Sequence, residues 1–161
     1  TIVGAGGAAT AIEIQAALDG VKEISIFNRK DEFWERAEQN VKNINETTNC
    51  KATLYDLADT EALRREINDS YLFANATGVG MKPLEGQMVI PDASFLREDL
   101  IVTDVVYMPE ETELLRVAKE VGCKTINGLG MMLYQGAAAF ELWTGKEMPI
   151  DYMKDILNIH F

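Results

Sequence analysis

The stretch Thr1-Ile2-Val3-Gly4-Ala5-Gly6-Gly7-Ala8-Ala9 decides the fold. A β-branched run comes first, a glycine-rich turn follows, and an alanine-rich segment typical of a helix begins near Ala8. Strand, turn and helix in this order are the context that a dinucleotide-binding fingerprint requires. We therefore expect Gly4 to permit a tight turn, Gly6 to let the backbone approach a pyrophosphate, and Ala9 to let the helix pack closely on the strand.

Strand-like and helix-like segments alternate along the whole chain. Strands are predicted at residues 2–3, 23–27, 52–55, 71–75, 100–105 and 124–126, and helices at 8–18, 31–45, from 60, and at 110–121, 131–143 and 151–157. This alternation predicts an α/β fold, a Rossmann-like doubly wound parallel sheet with helices on both faces. The 161 residues fit a single domain. Only three residues precede Gly4, fewer than a central parallel strand usually has. We therefore expect an N-terminal portion of the protein to be missing.

Composition excludes several classes of function. The net charge of −11 disfavours binding to nucleic acid and to anionic lipid, and no apolar run is long enough to span a bilayer. Cys50 and Cys123 have no metal-ligand spacing, which favours a reducing cytoplasmic location, and Cys123 is expected to be a buried, inert thiol. The single histidine, His160, is expected to be a frayed terminal side chain, so we predict no metal site and no Ser-His-Asp triad.

The second predicted strand ends in Asn28-Arg29-Lys30-Asp31, where the adenosine ribose of a dinucleotide is expected. Asp31 would accept hydrogen bonds from a ribose 2′-hydroxyl, whereas Arg29 would favour a 2′-phosphate. Asp31 is also a plausible N-cap of the next helix, and Arg29 could be a solvated charge or stack on adenine. The balance favours NAD as cofactor, with NADP also accepted.

Three further loops follow predicted strands. Gly78 and Gly80 indicate unusual backbone angles beside a ligand, or simply a loop that turns away from the sheet. Tyr107 is either a core aromatic residue or presents its hydroxyl to a substrate. Gln135 lies in an apolar helix, where its amide needs a partner or must face solvent. The Met131-Met132 pair in the same helix is predicted to pack in the core.

Taken together, several segments resemble the shikimate dehydrogenase family. They are Gly4 to Ala9, Asn28-Arg29, Asn75-Ala76-Thr77, Gly80-Met81, Tyr107-Met108-Pro109 and Gly128 to Gln135. Residues 27–33, 56–59 and 142–146 more narrowly resemble its quinate/shikimate dehydrogenase branch. The likeness covers nearly the whole chain but matches only the second, nucleotide-binding domain of the family's two α/β domains. Two departures are Gly78, where the quinate branch can carry a lysine, and Met108, where an asparagine is commoner.

The resemblance implies a set of binding residues. Those for the cofactor are Ala5, Gly6, Gly7 and Ala8 around the pyrophosphate, Asn28, Arg29, Lys30 and Asp31 around the adenosine, Val105 and Gly128 beside the nicotinamide, and Thr77. Tyr107 and Gln135 would reach the substrate, a hydroxylated ring acid. The family's catalytic lysine and aspartate belong to the first domain, so no catalytic residue is expected here. Lys82 lies close to a glycine loop but is followed by Pro83, and it is interpreted as solvated.

The resemblance also implies a function. Residues 1–161 would form one NAD(P)-binding domain of a two-domain enzyme of aromatic amino acid biosynthesis, which interconverts 3-dehydroshikimate or 3-dehydroquinate with the reduced hydroxy acid. The chain alone would be inactive without the missing N-terminal catalytic domain. Whether the protein forms a homodimer is left open by the sequence. Two alternatives remain: another two-domain dehydrogenase, of the methylene-tetrahydrofolate or glutamyl-tRNA reductase type, and a non-catalytic module that dimerises in response to NADH.

Overall fold

A computed structural model describes residues 1–159 of the chain. Its elements in chain order are β1 (Ile2–Val3), α1 (Gly7–Leu18), β2 (Glu23–Asn28), α2 (Trp34–Thr47), β3 (Lys51–Asp56), α3 (Thr60–Asp69), β4 (Leu72–Asn75), a short 3-10 helix (Ala93–Phe95), β5 (Ile101–Asp104), α4 (Glu113–Val121), β6 (Lys124–Ile126), α5 (Leu129–Thr144) and α6 (Ile150–Leu157). The six strands form one sheet in the order β3-β2-β1-β4-β5-β6, and every pairing is parallel. The predicted α/β, Rossmann-like fold is confirmed.

Strand β1 lies at the centre of the sheet although it is short. Ile2 pairs with Ile26 of β2 on one side and with Ala74 of β4 on the other. The strand order reverses here, because the chain moves outward from β1 through β2 to β3 and then returns to place β4 on the opposite side. In such sheets a crevice opens at the carboxyl ends of the two strands that flank the reversal. The fold therefore directs attention to the ends of β1 and β4.

Each face of the sheet carries its own apolar core, because side chains alternate between the two faces along a strand. One core contains Phe27, Phe73 and Leu100 with residues of α3 and α4. The other contains Ile26 and Ile44 with residues of α1 and α2. Helices thus cover both faces of the sheet, as the alternation of segments predicts.

Two helix starts differ from the predicted ones for the same physical reason. Helix α2 begins at Trp34 rather than at Asp31, because the Asp31 carboxylate accepts the N–H of Phe33 at 3.0 Å and holds a turn ahead of the helix. Asp31 is therefore not the N-cap. Helix α4 begins at Glu113 rather than near residue 110, and the Thr112 hydroxyl caps it. In both cases a side chain bonded to nearby backbone ends the preceding loop.

The inner face of α1 is less apolar than the sequence suggests. Leu18 is exposed, whereas Glu13 is completely buried between α1 and α2. Asn40 of α2 donates to Glu13 Oε2 and to Thr10 Oγ1, each at 2.9 Å, but no described group bonds Glu13 Oε1. Burial raises the pKa of Glu13 from 4.5 to about 7, and the bond from Asn40 only partly offsets this effect.

Cys123 is buried, as predicted, and its Sγ lies 3.1 Å from the carbonyl oxygen of Arg97. Burial raises the pKa of this thiol, which keeps it protonated and unreactive. Within residues 1–159 no three His, Cys, Asp or Glu side chains are grouped to hold a metal ion. None of the helices in that range has the length and apolar character needed to cross a membrane. His160, expected to be frayed, lies outside the described residues.

Candidate functional site

The turn between β1 and α1 is closed on its inner side and open on its outer side. Gly4 has a φ of +120°, and a Cβ atom there would lie 2.7 Å from the carbonyl oxygen of Ala76. At Gly6 and Gly7, by contrast, an added Cβ would meet no other described atom within 4 Å. The tight turn predicted at Gly4 is confirmed, and no described residue fills the space outside Gly6 and Gly7.

The free space lies directly before the first turn of α1. Gly6 is the N-cap residue, no side chain among residues 1–159 caps the N–H groups of that turn, and the turn contains no acidic residue. Unpaired N–H groups and the helix dipole favour an anion at such a position. Ala8 is exposed beside this space, whereas Ala5 is buried. Ala9 is fully buried against the sheet, which confirms the close packing predicted for it.

The loop after β2 brings the predicted adenosine residues together. Asn28 Nδ2 donates to Asp31 Oδ1 at 3.1 Å, and Arg29 Nε lies 3.5 Å from Asp31 Oδ2. Lys30 Nζ lies 3.3 Å from Oδ2 of Asp56, the last residue of β3. Asp56 is absent from the residues predicted for the site. Its signal in the sequence is weak, an acidic residue at the carboxyl end of a strand.

A buried polar network joins the ends of β4 and β5. Asp104 Oδ1 accepts Asn75 Nδ2 at 3.1 Å and the N–H of Val106 at 2.9 Å, and Asp104 Oδ2 accepts the Thr112 hydroxyl at 2.8 Å. Thr77 Oγ1, predicted to contact the cofactor, donates to Asn75 Oδ1 at 2.7 Å and thereby joins the network. Burial raises the pKa of Asp104, while these hydrogen bonds act in the opposite direction.

The central members of this network, Asp104 and Thr112, are absent from the residues predicted for the site. The available signal was a carboxylate at the end of a buried strand, which needs partners if it stays inside. Gly80 closes the loop against Thr112, since its φ is +103° and an added Cβ would lie 3.1 Å from Thr112 Cγ2. The unusual angle predicted at Gly80 is thus confirmed. Gly78, by contrast, does not adopt a positive φ.

The predicted nicotinamide residues Val105 and Gly128 are in direct contact. A Cβ added to Gly128 would lie 2.2 Å from the carbonyl oxygen of Val105. The Gly128 N–H also donates to the carbonyl oxygen of Val106 at 3.1 Å. These contacts hold the start of α5 against the loop that follows β5.

A cavity of about 640 Å³ lies between α1 and α5. It is lined mainly by apolar side chains and brings together Ala8, Tyr107 and Gln135, three of the residues predicted to bind cofactor or substrate. Gln135 is exposed and its Nε2 donates to the carbonyl oxygen of Met132 at 3.2 Å. The residues of the β2 loop do not line this cavity. They form a separate end of the candidate site, on the other side of β1.

The prediction that Met131 and Met132 pack in the core is wrong. Both line the cavity between α1 and α5, and Met131 is 38% exposed. Thioether side chains are flexible and polarizable, so they adapt to whatever covers or fills this cavity. Helical spacing did not reveal this position, because α5 is apolar around its circumference.

Three comparisons agree with this geometry. Residues 128–157 match the family model described as shikimate 5'-dehydrogenase C-terminal domain. A shikimate dehydrogenase (NADP(+)) of Listeria innocua is 67% identical over 98% of this chain and 54% of the relative. The crystal structure of shikimate 5-dehydrogenase from Listeria monocytogenes in complex with shikimate and NAD is 66% identical, with a TM-score of 0.92 over 97% of this chain and 54% of that one.

A quinate dehydrogenase from Corynebacterium glutamicum in complex with NAD is 32% identical, with a TM-score of 0.83 over 98% of this chain and 54% of that one. The chain thus spans about half the length of the relatives that it matches. The match extends from the glycine turn to the last helix. The chain belongs to the shikimate dehydrogenase family and corresponds to the C-terminal portion of its members.

Proposed function

We propose that the chain is the dinucleotide-binding domain of an NAD(P)-dependent quinate/shikimate dehydrogenase. The intact enzyme would interconvert 3-dehydroshikimate or 3-dehydroquinate with the corresponding hydroxy acid. One observation supports this most directly: the open glycine turn at the strand reversal adjoins the cavity that Tyr107 and Gln135 line. The names of the relatives, which include NADP(+) and complexes with NAD, support a nicotinamide cofactor.

The described residues fit such a cofactor. The N–H groups at Gly6, Gly7 and the first turn of α1 would hold the pyrophosphate, and no described atom fills the space in front of them. The loop at residues 28–31 would border the adenosine, and the backbone at Val105 and Gly128 would line the nicotinamide end. When bound, the reduced nicotinamide supplies a hydride. The chain's own residues hold and orient the cofactor.

Two polar side chains on the cavity wall suit a hydroxylated ring acid. The Tyr107 hydroxyl can donate or accept a hydrogen bond, and the Gln135 amide can do both at once. Both residues are exposed on the cavity wall, so a ligand can reach them without a rearrangement of the core. We propose that they contact the substrate.

Proton transfer in the proposed reaction needs groups other than Tyr107 and Gln135. Lys82 is exposed, and no lysine lines the cavity between α1 and α5 within the part of the chain that the structure describes. We propose that the acid/base pair lies in the other half of the intact enzyme. General acid/base help is typically worth about 10²–10⁴-fold in rate, so the chain alone is expected to bind cofactor without turnover.

The surface of α5 and α6 supports a second domain as the covering partner. Leu142 and Trp143 are more than four-fifths exposed, and Tyr152 and Ile156 are exposed on the next helix. We name these four residues the α5–α6 apolar surface. Exposed large apolar side chains such as these four favour an interaction site. We propose that the N-terminal catalytic domain of the intact enzyme covers it.

Calorimetric titration of NAD⁺ and NADP⁺ into the wild-type chain and a Gly6→Val variant tests the cofactor site. An added Cβ at Gly6 meets no described atom, and its φ of −73° suits any residue, so the variant is expected to fold. A branched side chain would nevertheless occupy the space for the pyrophosphate. We expect at least a tenfold loss of affinity with an unchanged unfolding midpoint. Unchanged affinity would contradict the proposal.

Steady-state kinetics of the full-length enzyme tests the substrate. We expect Tyr107→Phe and Gln135→Ala to raise the KM for shikimate or quinate while the dissociation constant for the cofactor is unchanged. If both variants keep the KM of the wild type, a different two-domain dehydrogenase becomes the better interpretation. Normal turnover of either ring acid by the 161-residue chain alone would contradict the assignment of the catalytic pair to another domain.

A further inference from the structure

Asp31 has two structural roles at the end of β2. Its Oδ1 accepts the N–H of Phe33, two residues further on, at 3.0 Å, and its Oδ2 lies 3.5 Å from Arg29 Nε. The carboxylate is therefore anchored to its own loop by one oxygen and presents the other oxygen to a cation.

Asp56 repeats this arrangement at the end of the neighbouring strand β3. Its Oδ1 accepts the N–H of Ala58, again two residues further on, at 2.9 Å, and its Oδ2 lies 3.3 Å from Lys30 Nζ. Both cations of the β2 loop are thus paired with carboxylates that are fixed to the backbone. The hydrogen bond from Ala58, together with Lys30, holds the pKa of Asp56 below its usual value, so this carboxylate is charged at neutral pH.

The sheet, rather than the ion pair, places Asp56. Asn28 and Asp56 are partners in the register of β2 and β3, and the Leu57 N–H donates to the carbonyl oxygen of Asn28 at 2.9 Å. Lys30 is the movable partner, since its side chain is 66% exposed against 32% for that of Asp56. A ligand can draw Lys30 away, but the negative charge of Asp56 stays beside the loop.

We propose that Asp56 is a specificity-determining residue, which sets the ratio between the affinities for NADP and for NAD. The proposal rests on the proposed function, because it takes the β2 loop as the adenosine end of the site. The cofactors differ by a 2′-phosphate, which carries a charge of about −1.5 to −2 at neutral pH. That phosphate must compete with Asp56 for Lys30 and lie near a fixed carboxylate of the same sign. A neutral 2′-hydroxyl meets neither obstacle.

The test compares Asp56→Asn with the wild type in calorimetric titrations of the full-length protein with NAD⁺ and NADP⁺. Asparagine keeps an oxygen for the Ala58 N–H but removes the charge. We expect the affinity for NADP⁺ to rise roughly fivefold to tenfold and the affinity for NAD⁺ to stay within about twofold. The gain should shrink as KCl is raised from about 50 to about 500 mM, because salt screens exposed charges. A purely structural effect would not show this dependence.

Asp92→Asn is the matched control. The Asp92 carboxylate also accepts an N–H two residues on, that of Ser94 at 2.8 Å, and lies in the loop before the 3-10 helix. Its change removes the same charge without altering the β2 loop, so neither affinity should change. Lys30→Gln is the second variant, expected to weaken NADP⁺ binding and leave NAD⁺ binding unchanged, and it tests the proposal if Asp56→Asn does not fold.

The outcomes separate the two proposals. If the wild-type protein binds neither dinucleotide, the proposed function itself fails. If it binds them and Asp56→Asn alters both affinities equally or leaves both unchanged, the cofactor site stands and the specificity role of Asp56 is overturned. An increase confined to NADP⁺ that disappears at high salt supports the role.

Discussion

Gly128 and Val105 are in backbone contact so close that a Cβ atom on Gly128 would lie 2.2 Å from the Val105 carbonyl oxygen. The contact joins the loop after β5 to the start of α5. The loop after β5 and the start of α5 border the candidate nicotinamide end. They can pack this closely only because position 128 is a glycine.

Gly128→Ala is expected to destabilise the domain. The new methyl group would overlap backbone atoms of Val105 and Val106, which cannot move as easily as the end of a side chain. We expect a loss of about 2–4 kcal/mol in the free energy of unfolding, measured with urea. Gly136→Ala is the control, because an added Cβ there meets no described atom and the residue lies inside α5. It should leave stability unchanged or raise it by up to about 1 kcal/mol. Equal effects of the two changes would contradict the contact.

Glu13 is expected to make stability depend on pH. Its pKa is about 7 in the folded chain against an ordinary 4.5, so between these values the folded state holds a proton that the unfolded state has lost. The contribution of Glu13 to stability is therefore fully present below pH 4.5, is lost as pH rises to about 7, and amounts to about 3 kcal/mol. Glu13→Gln should flatten this slope in urea unfolding at several pH values. Exposed Glu61→Gln should leave the slope unchanged, and a slope that survives in Glu13→Gln would contradict the prediction.

Asp104→Ala is expected to destabilise the ends of β4 and β5. The change would leave the donors of Asn75, Val106 and Thr112 buried without their acceptor. We expect a loss of about 3–5 kcal/mol in the free energy of unfolding. Asp99→Ala, which removes an exposed carboxylate paired with Arg97, should cost less than about 1 kcal/mol. If the two variants unfold alike, the network is not a source of stability.

The α5–α6 apolar surface is expected to cause self-association when the chain is produced alone. Leu142→Lys together with Trp143→Lys should lower the average mass in sedimentation equilibrium, because charge on this surface opposes contact between copies. Tyr71→Lys, a change at an exposed aromatic residue before β4, should have no such effect. If the proposed N-terminal domain covers this surface, adding that domain should suppress the association. A wild-type chain that stays monomeric at all concentrations would contradict the prediction.

Local patterns were sufficient for most of the fold. Alternating segments predicted the six strands, and the residues around Gly4 predicted the turn at the centre of the sheet. These features depend on neighbours in the sequence, so the sequence carries them. The exact start of α2 could not be predicted in this way, because it depends on which backbone group the Asp31 side chain bonds.

The polar residues of the interior were not predictable in this way. Glu13 is buried because Asn40, on another helix, supplies a hydrogen bond, and Asp104 is buried because Thr112 and Asn75 meet it from two sides. Asp56 joins the site only because β3 lies beside β2. Each of these positions depends on partners far along the chain, which periodicity cannot reveal.

Strand β1 also constrains how the chain can be assembled during synthesis. Ile2 can pair with β2 once Ile26 has left the ribosome, but its other edge has no neighbour until Ala74 emerges. Throughout that interval the nascent polypeptide carries an unpaired strand edge, the kind of surface that invites aggregation. A slowed ribosome between these two points would therefore lengthen the time for which this edge stays exposed.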